Sequence, residues 1–552
     1  MKKIAILLLI CIFSNIGFAQ KSDFETQKMA SLCKVWGFLK YYHPKVAKGK
    51  HNWDKQLIKM LPKINEASTN EELSEIYLKW IDDLGRVKKC KTCDEPSGKR
   101  YFLKNFDLSW IQDTTCFSKD LSAKLKYIEE NRFQGDHHYV YNQPGHGGIG
   151  IRNEPDHNVT PYPSVDYRLL NLFRYWNVVE YFFPYKYQCD QAWDDVLLEI
   201  IPKIKSSADA TEYHLVLKEL MIKINDGHGW FDTKYTRSFF GKLFMPVYGR
   251  LRDGKFVITG FFNDSLARKN DIRLGDAILE IDNKKVAEIY TENWKYIQGS
   301  NEAYKKSKLY SLLLQGKSTK ANIRIERNGK TSYKEIARYP YHNFGFDKQY
   351  MNKRNLIEVL DNNIALINMG SLTQDDVPAI MDSATNCKAI IFDLRNYPQR
   401  TMYPISNFLN EEEKDFVRIT IPDLSYPGKF EWLNPLTCGT KNSNFYKGQV
   451  ILLTNSSTMS QAEFACMVFQ TAKNVVVVGE QTAGADGNII YFNLVGGLTA
   501  NFSSTGIYYP DGRQTQRIGI VPDIPVTPTI KGITEGSDEI LERAIEFVET
   551  GR

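Results

Sequence analysis

The stretch 454-TNSSTMSQAEFACMV-468 decides how the second half of this chain is read. It follows the apolar run GQVILL (448–453) and leads into a helix-favouring segment, so Ser460 stands where a strand turns into a helix. Ser460-x-x-Glu463 before an apolar helix is the pattern of a capping box, in which the serine accepts from the helix and the glutamate reaches back. A serine at a helix N-terminus beside a strand end is also where a nucleophile gains from the helix dipole and adjacent N–H donors. Both readings start from one geometry.

Around it, NIALINMG (363–370), CKAIIFDLRNYP (387–398) and NVVVVGEQTAGADG (474–487) are continuous apolar runs separated by helical stretches. Such runs suit strands buried on both faces, which predicts an α/β core with its chemistry in the loops at the strands' carboxyl ends. Upstream, from about 240 to 345, short alternating segments are joined by RDGK, DNKK and RNGK turns, the pattern of a small β-rich domain. Asp276 within it reads as a turn-capping carboxylate.

The N-terminal part carries a repeat. Residues 34–64 recur as 174–204, with Trp36, Pro44, Trp53 and Pro62 matched by Trp176, Pro184, Trp193 and Pro202 at a constant separation of 140 positions. Each copy reads as a helical hairpin. Leu169, Leu172, Phe173, Trp176, Val179 and Phe183 share one helix face, with Ser164 as its cap. The block between the copies (about 95–163) reads as irregular. Its histidines, His137, His138, His146 and His157, lack accompanying Cys or carboxylate spacing and are expected to face solvent rather than a metal. The copies differ at their ends: only the second closes on Asp226-Gly227-His228-Gly229, an imidazole flanked by glycines, as a base exposed on a turn requires.

At 552 residues the chain is too long for one core, and 42% hydrophobic with 25% charged residues is the composition of a folded protein. The first 19 residues, MKKIAILLLICIFSNIGFA, read as a secretory leader cut before Gln20, too short to span a membrane. The expected location is periplasmic or extracellular. Losing Lys2 and Lys3 lowers the formal charge from +6 to +4, no basis for nucleic-acid binding. Of nine cysteines, Cys11 leaves with the leader, and Cys90 and Cys93 form the only close pair, read as a local disulfide.

AIIFDLRNYP, SQAEF after a hydrophobic strand, VVGEQTAGADG and YYPDGRQTQRIGIVPDIPV (508–526) stand in the order and spacing of the carboxyl-terminal-processing (tail-specific) serine peptidases and the related tricorn core. RLGDAILEIDNKKV resembles a PDZ domain of the circularly permuted kind found in exported bacterial proteases. The resemblance implies a multi-domain α/β protein: the leader (1–19), a helical repeat region (20–235), a PDZ-like domain (240–345), a crotonase/ClpP-like peptidase core (355–530) and a closing helix (531–552, capped by Ser537). It places Ser460 on the family's nucleophile and His228 on the base of tricorn-like members. Tail-specific members use instead a lysine where this chain has Ala485, and Lys473 reads as a surface cation at a helix end. Gln516 occupies the place of a glutamate and is expected to orient the imidazole, with Asp226 as a substitute. Backbone N–H groups of Gln461 and of Gln399 or Arg400 would bind the oxyanion. The resemblance implies peptide or protein substrates and no metal or organic cofactor. The rival expectation is a pseudopeptidase that binds peptides through the PDZ-like domain without cutting them.

Overall fold

The computed structural model describes residues 23–93, 98–144, 147–344 and 355–552. The expected leader, Cys11 and His146 lie outside them. The chain is a multi-domain α/β protein, helical towards its N-terminus and mixed α/β towards its C-terminus. It forms two compact units: the described residues up to Ile224 with Thr420–Trp432 and Asn488–Thr505, and Asn225–Ile419 with Leu433–Gly487 and Gly506–Arg552.

In the first unit the repeat is structural as well as textual. Helix Trp53–Glu66 of the first copy has its counterpart in Trp193–Ser206, and each is followed by a second helix, Asn70–Asp83 or Ala210–Ile222. Each copy is closed by a reciprocal tryptophan lock. Trp36 Nε1 donates to the Trp53 carbonyl (3.1 Å) and Trp53 Nε1 to the Trp36 carbonyl (2.9 Å). Trp176 and Trp193 repeat the exchange at 2.9 and 3.1 Å. The rings stack in both copies, so each buried indole places its apolar face and satisfies its N–H.

The copies also face each other. Lys34 pairs with Asp194 at 2.7 Å, and their counterparts Arg174 and Asp54 pair at 2.5 Å. A Cβ on Gly37 would lie 1.7 Å from Oδ1 of Asn177, its own counterpart, and Tyr41 meets Tyr181 at 5.3 Å between ring centroids. Two same-position pairs one turn apart require the helix over 23–42 and helix Val165–Phe182 to lie side by side, running the same way. Helix Val165–Phe182 is accordingly buried almost all round, not on the one face its leucines suggested, and Ser164 precedes it without a side-chain cap. The returning segments complete this unit: Tyr42 Oη donates to the Pro427 carbonyl at 2.5 Å, and Asn171 bonds both the N–H and the carbonyl of Val495.

The block between the copies is more ordered than its composition suggests. It contains helix Lys119–Glu130, capped by the Ser118 side chain. Its histidines are not solvent ligands either. His137 is buried with both ring nitrogens unpartnered, and His157 bonds Asp54 at 2.8 Å. Cys90 and Cys93 form a disulfide.

Two larger sheets organise the second unit, beside a small three-stranded one. The first, antiparallel, runs through Val247–Arg252, Lys255–Phe261, Ala277–Ile281, Lys320–Arg327 and Lys330–Ala337. The RDGK and RNGK turns are left-handed at both central residues (Asp253 and Gly254, Asn328 and Gly329), as tight hairpins demand. Asp276, buried, accepts from the Arg273 N–H and pairs with Arg327. The second sheet orders Ile357–Leu360, Ile364–Asn368, Ala389–Asp393, Gln449–Thr454, Val475–Gly479 and Ile524–Pro525. All pairs but the first are parallel. Alternate side chains enter two cores: Ile390, Phe392 and Leu452 on one face, Ile391, Ile451 and Leu453 on the other under helix Glu539–Thr550. Asp538, not Ser537, caps that helix, because its carboxylate accepts from Leu541 and also pairs with Arg395. Among the described residues no helix is long and apolar enough to cross a membrane.

Candidate active site

The loops after strands Ala389–Asp393, Gln449–Thr454 and Val475–Gly479 meet around Ser460. It joins strand Gln449–Thr454 to helix Gln461–Phe469 with φ 56° and ψ −123°. A non-glycine residue held there costs about 1–3 kcal/mol and persists only where its surroundings over-determine it. Here the Ser460 N–H donates to the Ala485 carbonyl (2.9 Å) and lies 3.1 Å from Glu463 Oε2. Glu463 makes the reach-back of a capping box and more. Its fully buried carboxylate also accepts from the Gly484 N–H (2.6 Å), the Ala485 N–H (3.0 Å) and the Thr482 hydroxyl. Burial pushes the Glu463 carboxyl up, and these donors pull it back. Behind it Asp486 is buried with neither oxygen bonded, and burial, then the charge of Glu463, holds it well above the usual carboxylate range.

His228 lies on a turn closed by the Gly229 N–H to Asp226 carbonyl bond at 3.0 Å. Gly227 is the tight point. A Cβ there would stand 3.0 Å from Ala485 Cβ, 3.2 Å from Met459 Cε and 3.2 Å from Ser300 Oγ. The turn is therefore packed on the residue before Ser460 and on the residue whose carbonyl holds the Ser460 N–H. Asp226 Oδ1 accepts the His228 N–H at 3.0 Å and lies 4.0 Å from its Nδ1. Burial moves the imidazole below its ordinary value and the Asp226 charge opposes this.

Gln516 does not touch the imidazole as expected. Its Nε2 donates to Asp226 Oδ1 at 3.4 Å and its buried Oε1 has no partner. The amide reaches the Asp226 carboxylate instead, whose Oδ1 lies 4.0 Å from the ring's Nδ1.

Gln461 opens its helix, where the first N–H groups have no intrahelical acceptor. Its side chain donates to the Pro398 carbonyl at 2.9 Å, which ties the 396–401 loop to the helix start. Gln399 is exposed, its amide on the Gly370 carbonyl at 3.1 Å, and Arg400 takes a left-handed φ of 57°. Lys473 is an exposed cation paired with Glu411 at 2.6 Å.

Other residues of the site gave no sequence signal. Ser300 Oγ accepts the Gly227 N–H at 2.7 Å, its carbonyl accepts Arg517 Nε at 3.0 Å, and Asn301 Nδ2 donates to the Thr482 carbonyl at 2.8 Å. No local pattern marks such partners, because they come from distant segments. Asp486 had a faint signal, an acidic residue inside an otherwise small, neutral turn. No group of three or more His, Cys, Asp or Glu side chains that could hold a metal occurs among the described residues.

The family model described as Peptidase family S41 matches residues 363–526. The S41 match takes in Gln399, Ser460, Gln461 and Gln516 and stops short of His228. Beyond it the likeness is one of fold. A structure of mature CPAF complexed with lactacystin is 13% identical, with a TM-score of 0.57, over 70% of this chain and 99% of that one. A second structure of mature CPAF gives 14%, 0.54, 70% and 98%. A comparison with curated protein sequences finds no match.

Proposed function

We propose that the S41 segment and the Asp226–Gly229 turn form the site of an exported serine peptidase. The observation that carries this reading is the backbone of Ser460: a strained strand-to-helix turn held by Ala485 and Glu463 that a helix cap alone does not need. In the proposed reaction Ser460 Oγ attacks a peptide carbonyl while neutral His228 takes its proton. The tetrahedral oxyanion is met by the N–H groups of Gln461 and of Gln399 or Arg400. His228 returns the proton to the leaving amine, and water releases the acyl-enzyme by the same steps in reverse. Asp226 keeps the imidazole turn in place, and Gln516 acts one residue removed, by holding Asp226. Residues 240–345 serve as a PDZ-like domain that presents unfolded or C-terminal peptide segments, and 355–530 as the tail-specific, crotonase/ClpP-like core.

A second reading, a peptide-binding pseudopeptidase, is favoured by the unpartnered Gln516 Oε1, which leaves the place of a relay carboxylate without a charge. The two part on one experiment. The full chain is treated with a fluorophosphonate probe, and adducts are located by mass spectrometry beside Ser460→Ala and His228→Ala controls. Labelling of Ser460 that is lost in His228→Ala supports the peptidase. Absence of labelling together with no cleavage of unstructured peptides supports the binder.

A further inference from the structure

The Cys90–Cys93 disulfide closes a loop of only four residues, Cys90-Lys91-Thr92-Cys93. Cross-linking so short a loop removes little freedom from the unfolded chain, so the bond is a weak staple. The loop is also held without it. The Cys90 N–H donates to Asn131 Oδ1 at 2.7 Å, and the Cys93 carbonyl accepts from Arg132 Nη2 at 2.8 Å. Both anchors are themselves fixed where helix Lys119–Glu130 ends. Asn131 Nδ2 donates to the Tyr127 carbonyl (2.8 Å), and Arg132 Nε donates to the Ser425 carbonyl (2.8 Å) with its guanidinium over the Tyr426 ring.

The two sulfurs differ in what surrounds them. Cys90 is half-buried, with exposed Lys88, Lys89 and Lys91 on either side of it in the chain and Thr92 Oγ1 3.9 Å from its Sγ. Neighbouring ammonium groups favour a thiolate over a thiol, and a hydroxyl can donate to it. The acidic residues of this stretch, Asp94 and Glu95, follow Cys93. Cys93 is buried, and its Sγ lies 3.3 Å from the Arg132 carbonyl oxygen, to which a thiol there would donate. Both sulfurs of the reduced pair therefore have partners already in place, Cys90 as a thiolate and Cys93 as a thiol. Stabilising the reduced form makes a disulfide more oxidising.

We propose that Cys90–Cys93 is a thiol–disulfide exchange site that oxidises the dithiol of a partner protein. A partner thiolate attacks Cys90 Sγ, the reachable sulfur. The S–S bond breaks, and its electron pair leaves on Cys93, which takes up a proton and donates to the Arg132 carbonyl. The partner's second thiol, deprotonated in turn, attacks the partner sulfur of the mixed disulfide and releases Cys90 as a thiolate. The partner loses two electrons and two protons as its own disulfide forms. Cys90 and Cys93 gain the electrons, one proton stays on Cys93 and the other goes to solvent. This does not rest on the peptidase reading.

The test mixes the full chain under nitrogen, at neutral pH, with an equal amount of a reduced Cys-Gly-Gly-Cys peptide. Thiols are quenched by alkylation and located by peptide-resolved mass spectrometry, which separates Cys90 and Cys93 from the other cysteines. The oxidised synthetic peptide of residues 86–93, which has the same spacing but neither Asn131 nor Arg132, is the reference. Oxidised probe should appear in step with free Cys90 and Cys93, with an equilibrium constant about tenfold or more above that of the reference. In Cys93→Ser, Cys90 should react with iodoacetamide about tenfold or more faster than Cys93 does in Cys90→Ser. Reduction of the unmutated chain should leave its urea midpoint nearly unchanged. A disulfide that stays closed, an equilibrium no more oxidising than the reference, Cys93 as the faster sulfur, or a clear fall in the midpoint on reduction, the mark of a structural staple, overturns the proposal.

Discussion

The two hairpins of the first unit are built on one plan and depart from it in different places. Both keep the tryptophan lock, the proline late in the first helix and the reciprocal pairing of position 34 with 194 and of 174 with 54. They part at their second helices and beyond. The first copy runs out through Leu84 and Gly85 into a disulfide-closed loop, and the second runs through Ile224 into Asp226-Gly227-His228. What is shared is what the interior needs. What differs begins at the copies' ends, where the second closes on the buried Asp226-Gly227-His228 turn.

The largest separation of the copies should appear in catalysis. Replacing His228 by Ala should lower peptide cleavage by about 10²–10⁴-fold, the worth of a general base, while Ala at Lys88, the same position of the first copy, should change nothing. Initial rates on an unstructured peptide check both. The locks should behave alike: Trp36→Ala and Trp176→Ala should each cost roughly 3–5 kcal/mol in urea unfolding, and a marked inequality would mean that one copy alone carries the scaffold. The reciprocal ion pairs should not behave alike. Arg174 and Asp54 are buried, so Arg174→Met leaves charge stranded at a cost of about 3–5 kcal/mol. Lys34 and Asp194 are more exposed, and Lys34→Met should cost no more than about 1 kcal/mol.

Two pH effects are smaller. Since burial lowers the His228 pKa, its neutral, basic form persists below pH 6.5, and the acid limb of kcat/KM should lie under that value. Asp226→Asn removes the opposing charge and should move the limb lower still. In the first copy and the block after it, burial takes His43 and His137 down to about 4. Their folded pKa values lie below the unfolded one, so the folded state gains from them fully above pH 6.5 and loses that gain as pH falls towards 4. The urea midpoint should drop over that window, and His137→Gln should flatten the drop.

The sequence made the repeat and the strand runs legible because period, spacing and apolar continuity are local quantities. The strand-to-helix turn at Ser460 and Gln461 was legible through motif order, and the turn at His228 through its flanking glycines. The partners of those residues were not. Gln516 was expected on the imidazole, but which polar atom an amide reaches depends on what the fold brings beside it. Ser300 and Arg517 hold the histidine turn from segments 73 and 217 residues away from their partners, beyond any pattern in the text. The exposed histidines failed for the opposite reason: composition marks a loop, while burial depends on what packs over it.

Ala485 has no exposed surface, and the histidine turn rests against its methyl group through Gly227. A lysine side chain in that position, as tail-specific relatives are expected to use, would need the room that the turn occupies. On the proposed reading, a lysine base at 485 and the 226–228 turn that carries His228 are thus rival tenants of a single volume. Ala485→Lys alone would displace that turn, and passage between the two arrangements would take paired changes at 485 and at 226–228.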